Sequence, residues 1–425
     1  AQAVTYRKTS GATTMALVGT SSSSWALQAR RPHHAPVVQG QPGLGTARLQ
    51  GLHQGCIVAG LAAVATASRR RTALARAASA EAEEGVPRRV ALGLGGTALL
   101  LTTLKRFAID GPPEFDPKPN SMSGKTVLIT GGNTGLGRES AVRLAKAGAT
   151  VVLTTRSEAK GKKAVEEVKA ASGSSDVHFL KLDLADLKDV KAFKNRFTSQ
   201  DYGKRIDVLM NNAGVMAIPE RQETKDGFEE QLGVNHLGHF ALTGELLPLL
   251  QKAPSARVVV VSSTAHLGAN KELMEGDLMA PERYTQWGAY CQSKLANVLF
   301  AKELNRRLQE AGVNATAVSC HPGGVDTDLA RWTISPDGDP QKATQLRKDT
   351  PWADALATFL TRSVQLGANT QVYLAAGGDG GYNKSGGEYF DNMAPGLLNP
   401  VANDQALAKE LWAKSEKLTG ITYKI

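Results

Sequence analysis

The sequence predicts an α/β fold: a doubly wound, mostly parallel sheet in a single domain, behind an N-terminal extension expected to be disordered. Three observations predict it. From Lys125 onward, short β-branched runs alternate with helical stretches of ten or more residues. The strand runs are apolar almost throughout, as strands covered on both faces must be. The first of them ends in a glycine-rich turn that opens a helix.

The extension is read as residues 1–120 and the domain as residues 121–425. The formal net charge of +10 invites a nucleic-acid partner, but its distribution argues against one. Residues 1–80 hold nine Lys/Arg and no Asp or Glu, whereas the remaining 345 residues hold 41 basic and 40 acidic side chains. A nucleic-acid domain concentrates basic charge on its own surface, and here the charge belongs to the tail. An Arg- and Ser-rich, acid-poor tail describes an organelle targeting segment. Two apolar runs, Gly55–Ala67 and Val90–Leu104, make it resemble the bipartite leaders of plastid proteins, so a plastid is expected, with the mitochondrion as the alternative. As a helix, the second run would be about 22 Å long, short of a hydrocarbon core of about 30 Å. It is a candidate for membrane association, not a clear span. Gly111–Asn120, with four prolines, reads as an extended linker. The three cysteines, Cys56, Cys291 and Cys320, supply no disulfide framework and no metal-binding pair.

Strands are predicted at Thr126–Thr130, Val151–Thr154, Val177–Leu182, Val208–Met210, Arg257–Ser262 and Thr316–Cys320, with helices including Glu158–Ala171 and Gln292–Glu310. The first strand runs into Gly131, Gly132, Asn133, Thr134, Gly135, Leu136 and Gly137. Glycines at 131, 135 and 137 allow close backbone approach. The helix that follows, Arg138–Ala147, aims free N–H groups and its positive end at the turn, a setting for pyrophosphate. This is the phosphate turn of a Rossmann-type dinucleotide fold.

The second strand ends at Thr154-Thr155-Arg156. An NAD site carries an acidic residue near this position, to bind the ribose 2′-hydroxyl. A guanidinium there suits a 2′-phosphate, with which it makes a forked pair of bonds. Arg156, helped by Arg138, therefore points to NADP(H). Asp183 and Leu184, after the third strand, are placed at the adenine.

Of eight tyrosines, only Tyr290 has a lysine four residues on, Lys294. Positions i and i+4 share a helix face. An adjacent ammonium is expected to lower a phenol that otherwise titrates near about 10, making Tyr290 a proton donor and acceptor at neutral pH.

Together these residues resemble the short-chain dehydrogenase/reductase family over about residues 123–395. The motifs are Thr130–Gly137, Asn211-Asn212-Ala213-Gly214, Ser262-Ser263, Tyr290-Cys291-Gln292-Ser293-Lys294 and His321-Pro322-Gly323. The resemblance implies that Ser263, the second serine of its pair, holds the substrate oxygen. It also implies that Asn235 binds a water that links Lys294 to solvent. By the same resemblance, Asn212, Ala213 and Gly214 pack beside a ribose, and Pro322, Gly323 and Thr327 border the nicotinamide. Gly367-Ala368-Asn369-Thr370 and Ser385-Gly386-Gly387-Glu388-Tyr389-Phe390 are similar to the retinol dehydrogenase-like branch. The implied reaction interconverts a carbonyl and an alcohol on a small lipophilic substrate. Two other readings stay open: an NADP(H)-binding redox sensor with little turnover, and a protochlorophyllide reductase. His236, His239, His266 and His321 have no metal-ligand spacing, so no metal is expected. Asp326–Phe359, with Trp332, Ile334, Trp352 and Phe359, is read as a substrate lid.

Overall fold

A computed structural model describes residue 103 and residues 105–425, except 277, 326, 336 and 378–385. The segment expected to be a targeting sequence, nearly all of the apolar run Val90–Leu104, and Cys56 and Ser385 lie outside the described residues.

The elements follow in chain order. They are β1 (Thr126–Thr130), α1 (Gly135–Lys146), β2 (Thr150–Thr155), α2 (Glu158–Ser172), β3 (Val177–Lys181), α3 (Leu187–Thr198) and β4 (Val208–Asn211). Next come α4 (Gly238–Leu250), β5 (Ala256–Val261), α5 (Gln286–Glu310), β6 (Ala315–Cys320), α6 (Pro340–Asp349) and α7 (Pro351–Leu360). The chain closes with α8 (Val364–Ala376), β7 (Tyr389–Asp391), β8 (Ala394–Pro395) and α9 (Gln405–Thr419). The sheet order is β3-β2-β1-β4-β5-β6-β7-β8, with only β8 antiparallel. Each strand predicted from the sequence exists, shifted by a residue or so at its ends. The two missed strands, β7 and β8, have three and two residues, too short to show a periodic pattern.

Alternation along the strands builds two cores. Leu128 of β1 and Val258 and Val260 of β5 join one apolar layer with α3, α4, α5 and α9. Val127 and Ile129 of β1 and Val259 and Val261 of β5 join the other, with α1, α2 and α8. In the first layer Trp412 of α9 is fully buried, its ring 5.0 Å from Phe240 and 4.5 Å from Tyr423.

Strand order reverses between β1 and β4, each of which pairs in parallel with the other. In doubly wound sheets a crevice opens outside the carboxyl ends of the strands at that point. Every loop that carries a predicted site residue leaves the sheet at this edge. α5 begins earlier than the sequence suggests, at Gln286, because Thr285 caps it by accepting the Gly288 N–H at 3.0 Å.

The proline-rich linker is docked on the domain. Asn369 of α8 accepts the Phe115 N–H at 3.0 Å and donates to the Pro113 carbonyl at 2.8 Å. Arg143 of α1, 2 % exposed, donates to Asn369 Oδ1, to the Phe115 and Gln365 carbonyls and to Glu139. The Phe115 ring stands edge-on to Tyr373 at 5.3 Å. The Asn369 of the Gly367–Thr370 motif thus serves the linker. Replacing Arg143 by alanine strands buried acceptors on three segments. Urea unfolding should then show a loss on the order of 3 kcal/mol. A loss below about 1 kcal/mol would show that the docked linker adds little to the fold.

Candidate active site

The floor of the crevice is set by close backbone packing. Gly131 has φ +66, and a Cβ there would lie 2.9 Å from the Ala213 Cα. A Cβ on Gly137 would lie 2.5 Å from the Gly131 carbonyl oxygen. Only glycine lets the β1 turn, the β4 loop and α1 come this close. Thr130 ties the two strand ends, its Oγ1 accepting the Asn212 and Ala213 N–H groups at 2.9 and 3.0 Å. The Asn212 side chain returns a bond to the Thr130 carbonyl at 2.8 Å. Gln371 of α8 donates to Ser140 and to Asn212 Oδ1, joining α1 to the β4 loop. α1 has no acidic residue in its first turn and no side chain capping its N-terminus at Thr134. Asn133 is half-buried in the turn, Thr134 is exposed, and Leu136 packs against the second core layer. Gly135 faces Thr327, whose Cγ2 would lie 3.2 Å from a Cβ on it.

The far end of the crevice carries the charges. Arg156 is exposed at the end of β2, and its field reaches the half-buried Glu230, which Arg331 also faces. Asp183 accepts the Ala185 N–H at 3.1 Å and lies 3.8 Å from the Lys225 ammonium. Leu184 is buried beneath it. Arg138 pairs with Glu167 of α2, on the side of α1 that packs against α2.

The chemical end is built on β5 and α5. Ser262 and Ser263 follow the last residue of β5 and face different ways. Ser262 Oγ donates to the Lys294 carbonyl at 2.7 Å, whereas the Ser263 side chain acts on the Tyr290 phenol and lowers its pKa against the effect of burial. Lys294, one turn after Tyr290, donates from Nζ to the Val261 carbonyl at 3.2 Å, and Nζ lies 5.6 Å from the centre of the Tyr290 ring. Both side chains are 3 % exposed.

Burial decides their ionisation. It drops the Lys294 ammonium to about 8 and pushes the Tyr290 phenol up to about 12, with Ser263 opposing the rise. This corrects the expectation that the lysine lowers the phenol. Removal from water destabilises both charged forms, and it is the largest cause of each shift.

Asn235 stands in a π-helical turn, Gly233–Leu237, that leads into α4. Its Oδ1 accepts the Val215 N–H at 2.8 Å, and its Nδ2 donates to the Val215 carbonyl and to Ser293 Oγ, each at 2.9 Å. A Cβ on Gly214 would lie 3.1 Å from Asn235 Oδ1 and 3.6 Å from Lys294 Nζ, so the glycine keeps the gap between them open.

Sequence reasoning weighed the histidines only as ligands and so missed what they position. His239 Nε2 lies 2.8 Å from Thr130 Oγ1, and Nδ1 lies 3.0 Å from the Asn235 carbonyl. It bridges the phosphate turn to the Asn235 turn, and burial holds its ring neutral by lowering its pKa to about 4. His321 accepts the Gly323 N–H on Nδ1 at 2.9 Å and faces Asp391 through Nε2 at 3.1 Å. Gly323 has φ +85 and lies against Arg362, whose guanidinium donates to the Pro322 carbonyl at 3.3 Å and to the Ile109 carbonyl. The lid segment forms the short helix Arg331–Ile334 followed by α6 and α7, and α7 has no buried residue. The bonds His239–Thr130, His321–Asp391 and Arg362–Ile109 join residues far apart in sequence, so no spacing could have revealed them.

Known proteins are similar to this chain. The short chain dehydrogenase family matches residues 125–336. Retinol dehydrogenase 13 of Homo sapiens is 37 % identical over 328 residues, which is 77 % of this chain and 93 % of that protein. Retinol dehydrogenase 12 of Homo sapiens is 40 % identical over 304 residues, covering 71 % of this chain and 89 % of that protein. Among solved structures, an uncharacterised protein from Mycobacterium Paratuberculosis superposes with a TM-score of 0.56 at 35 % identity, covering 74 % of this chain and all of that one. The residues that meet at the switch point and the extent of these matches lead to one conclusion: the chain belongs to the retinol dehydrogenase-like branch of the short-chain dehydrogenase/reductase family, and is an oxidoreductase acting on CH–OH and carbonyl groups.

Proposed function

We propose that the protein is an NADP(H)-dependent reductase that converts a small lipophilic aldehyde or ketone to its alcohol. The observation that carries the reading is the buried Tyr290 phenol, with Ser263 acting on it and the buried Lys294 Nζ 5.6 Å from its ring centre. The crevice fits a dinucleotide by its own features. Close-packed glycines leave the backbone of the turn exposed to an anion, and α1 presents its N-terminus with no acidic residue to repel one. Gly131–Gly137 would hold the pyrophosphate, Asp183 and Leu184 the adenine, and Asn212, Ala213 and Gly214 a ribose. Arg156 would hold the 2′-phosphate, and Pro322, Gly323 and Thr327 would border the nicotinamide. When bound, NADPH supplies the hydride that the carbonyl carbon takes up.

The protein's own residues do the rest. Ser263 orients the substrate oxygen. Tyr290, protonated throughout the neutral range, gives its proton to that oxygen as charge develops there. The Lys294 ammonium steadies the phenolate that remains. Asn235 is fixed by Val215 and Ser293, which leaves its remaining lone pairs to hold a water that returns a proton to the lysine side. Apolar side chains stand near these groups: Trp287, its ring 6.1 Å from Tyr290, and Leu267, in the turn after Ser263, are both exposed. They suit an apolar substrate, as do the names of the relatives.

Tyr290→Phe should reduce NADPH-dependent aldehyde or ketone turnover by about a hundredfold or more, since it removes the proton donor. NADPH absorbance, followed with a panel of aldehydes, ketones and pigments, measures this. If the wild type binds NADPH tightly but turns nothing over, the protein is a sensor; turnover that needs light would indicate pigment reduction.

Arg156→Glu should raise the NADPH KM by about tenfold or more and leave NADH nearly unaffected, because a carboxylate repels a 2′-phosphate. A wild type that prefers NADH would refute the NADP(H) assignment.

A further inference from the structure

The Ser263 carbonyl takes two donors from one residue. The His266 backbone N–H reaches it at 3.0 Å and the His266 Nδ1 at 2.7 Å. The other ring nitrogen, Nε2, faces the Asn399 backbone N–H at 3.2 Å. A backbone N–H can only donate, so Nε2 carries no proton and the ring hydrogen sits on Nδ1. Both neighbours thus select one neutral tautomer, and the ring is fully buried.

Asn399 also closes the turn from its far end. Its Nδ2 donates to the His266 carbonyl at 2.9 Å and to the Ala269 carbonyl at 3.0 Å. Its Oδ1 is held by the Val401 N–H at 3.0 Å. Tyr389 packs against the His266 ring at 4.6 Å.

The geometry bears on the hydroxyl of Ser263. Ser263 Oγ accepts the Ala265 N–H at 3.1 Å, so its own hydrogen is directed elsewhere, and the phenol that the serine acts on is Tyr290. Ala265 lies in the turn that His266 pins back onto Ser263. The same turn ends at Gly268, where a Cβ would lie 3.1 Å from Cys291 Sγ, beside Tyr290. Any rotation of this turn moves the serine relative to the phenol.

We propose that His266, locked in its Nδ1–H tautomer by Asn399, is a positioning residue that aims the Ser263 hydroxyl at Tyr290 and the substrate oxygen. The proposal rests on the catalytic reading of Ser263 and Tyr290 given above. It makes the segment at Asn399, which is remote in sequence, part of the machinery that orients the reacting groups.

The test uses two replacements of similar size. Asparagine places an amide N–H where Nδ1 was; glutamine places its polar end where Nε2 was. In the full-length protein, His266→Asn should keep kcat within about threefold, and His266→Gln should lower it by about tenfold or more, with NADPH affinity unchanged in both. In a Ser263→Ala background, His266→Gln should cost nothing further, because its effect passes through the serine. Equal losses in the two single variants, a parallel loss of NADPH affinity, or a loss that adds to that of Ser263→Ala would overturn the positioning role. Should the glutamine variant fail to fold, Asn399→Ala takes its place in the same cycle, with the same expected and contrary results. A wild type with no turnover on any carbonyl overturns the reductase reading, and the positioning role with it. A turning-over wild type with additive losses overturns the positioning role alone.

Discussion

The site depends on burying a lysine ammonium against a carbonyl oxygen and an aromatic ring, with no carboxylate among the described residues acting on it. Lys294 donates to the Val261 carbonyl, and Asn297, three residues on, donates to the same oxygen at 3.2 Å. The last carbonyl of β5 therefore registers α5 against the sheet. The Ser262 hydroxyl adds a bond in the opposite sense, to the Lys294 carbonyl. These contacts fix where Tyr290 stands one turn earlier. A carboxylate beside Lys294 would satisfy the ammonium and raise its pKa; burial alone lowers it to about 8 and leaves the group able to exchange protons near neutral pH.

The same economy governs the polar groups around it. Thr130, Asn212, Asn235, His239 and Gln371 are each bonded to groups on other elements. They join the phosphate turn, the β4 loop and the π-helical turn before α4 into one rigid floor. On the opposite wall, Arg362 spans the Pro322 carbonyl and the Ile109 carbonyl. The segment that enters the domain is therefore tied to the loop that borders the nicotinamide end of the crevice.

Much of this was legible in the sequence, and the reasons are particular. β1 and the Gly131–Gly137 turn are local features, since a strand, three glycines and a helix lie within twenty residues. The Tyr290–Lys294 spacing is set by one helical turn. A doubly wound, mostly parallel sheet follows once alternating strands and helices are recognised. What depended on contacts distant in sequence was not legible. The docking of the Pro112–Phe115 segment rests on Asn369 and Arg143. Arg138 turns to Glu167 because of the helix face it occupies. The tautomers of His239 and His266 are chosen by Thr130, Asn235 and Asn399. The phenol was placed too low because spacing shows the nearby ammonium but not the depth of burial, and desolvation is the larger effect.

The most direct measurement is a paired titration of the two buried groups in the folded protein. Labelled-lysine NMR, assigned with Lys294→Arg, reads the ammonium; phenolate absorbance, compared with Tyr290→Phe, reads the hydroxyl. The account predicts a lysine midpoint near 8 and a tyrosine still protonated at pH 10, consistent with its pKa of about 12. A phenol that ionises near neutral pH beside a lysine that stays charged above pH 10 would contradict it.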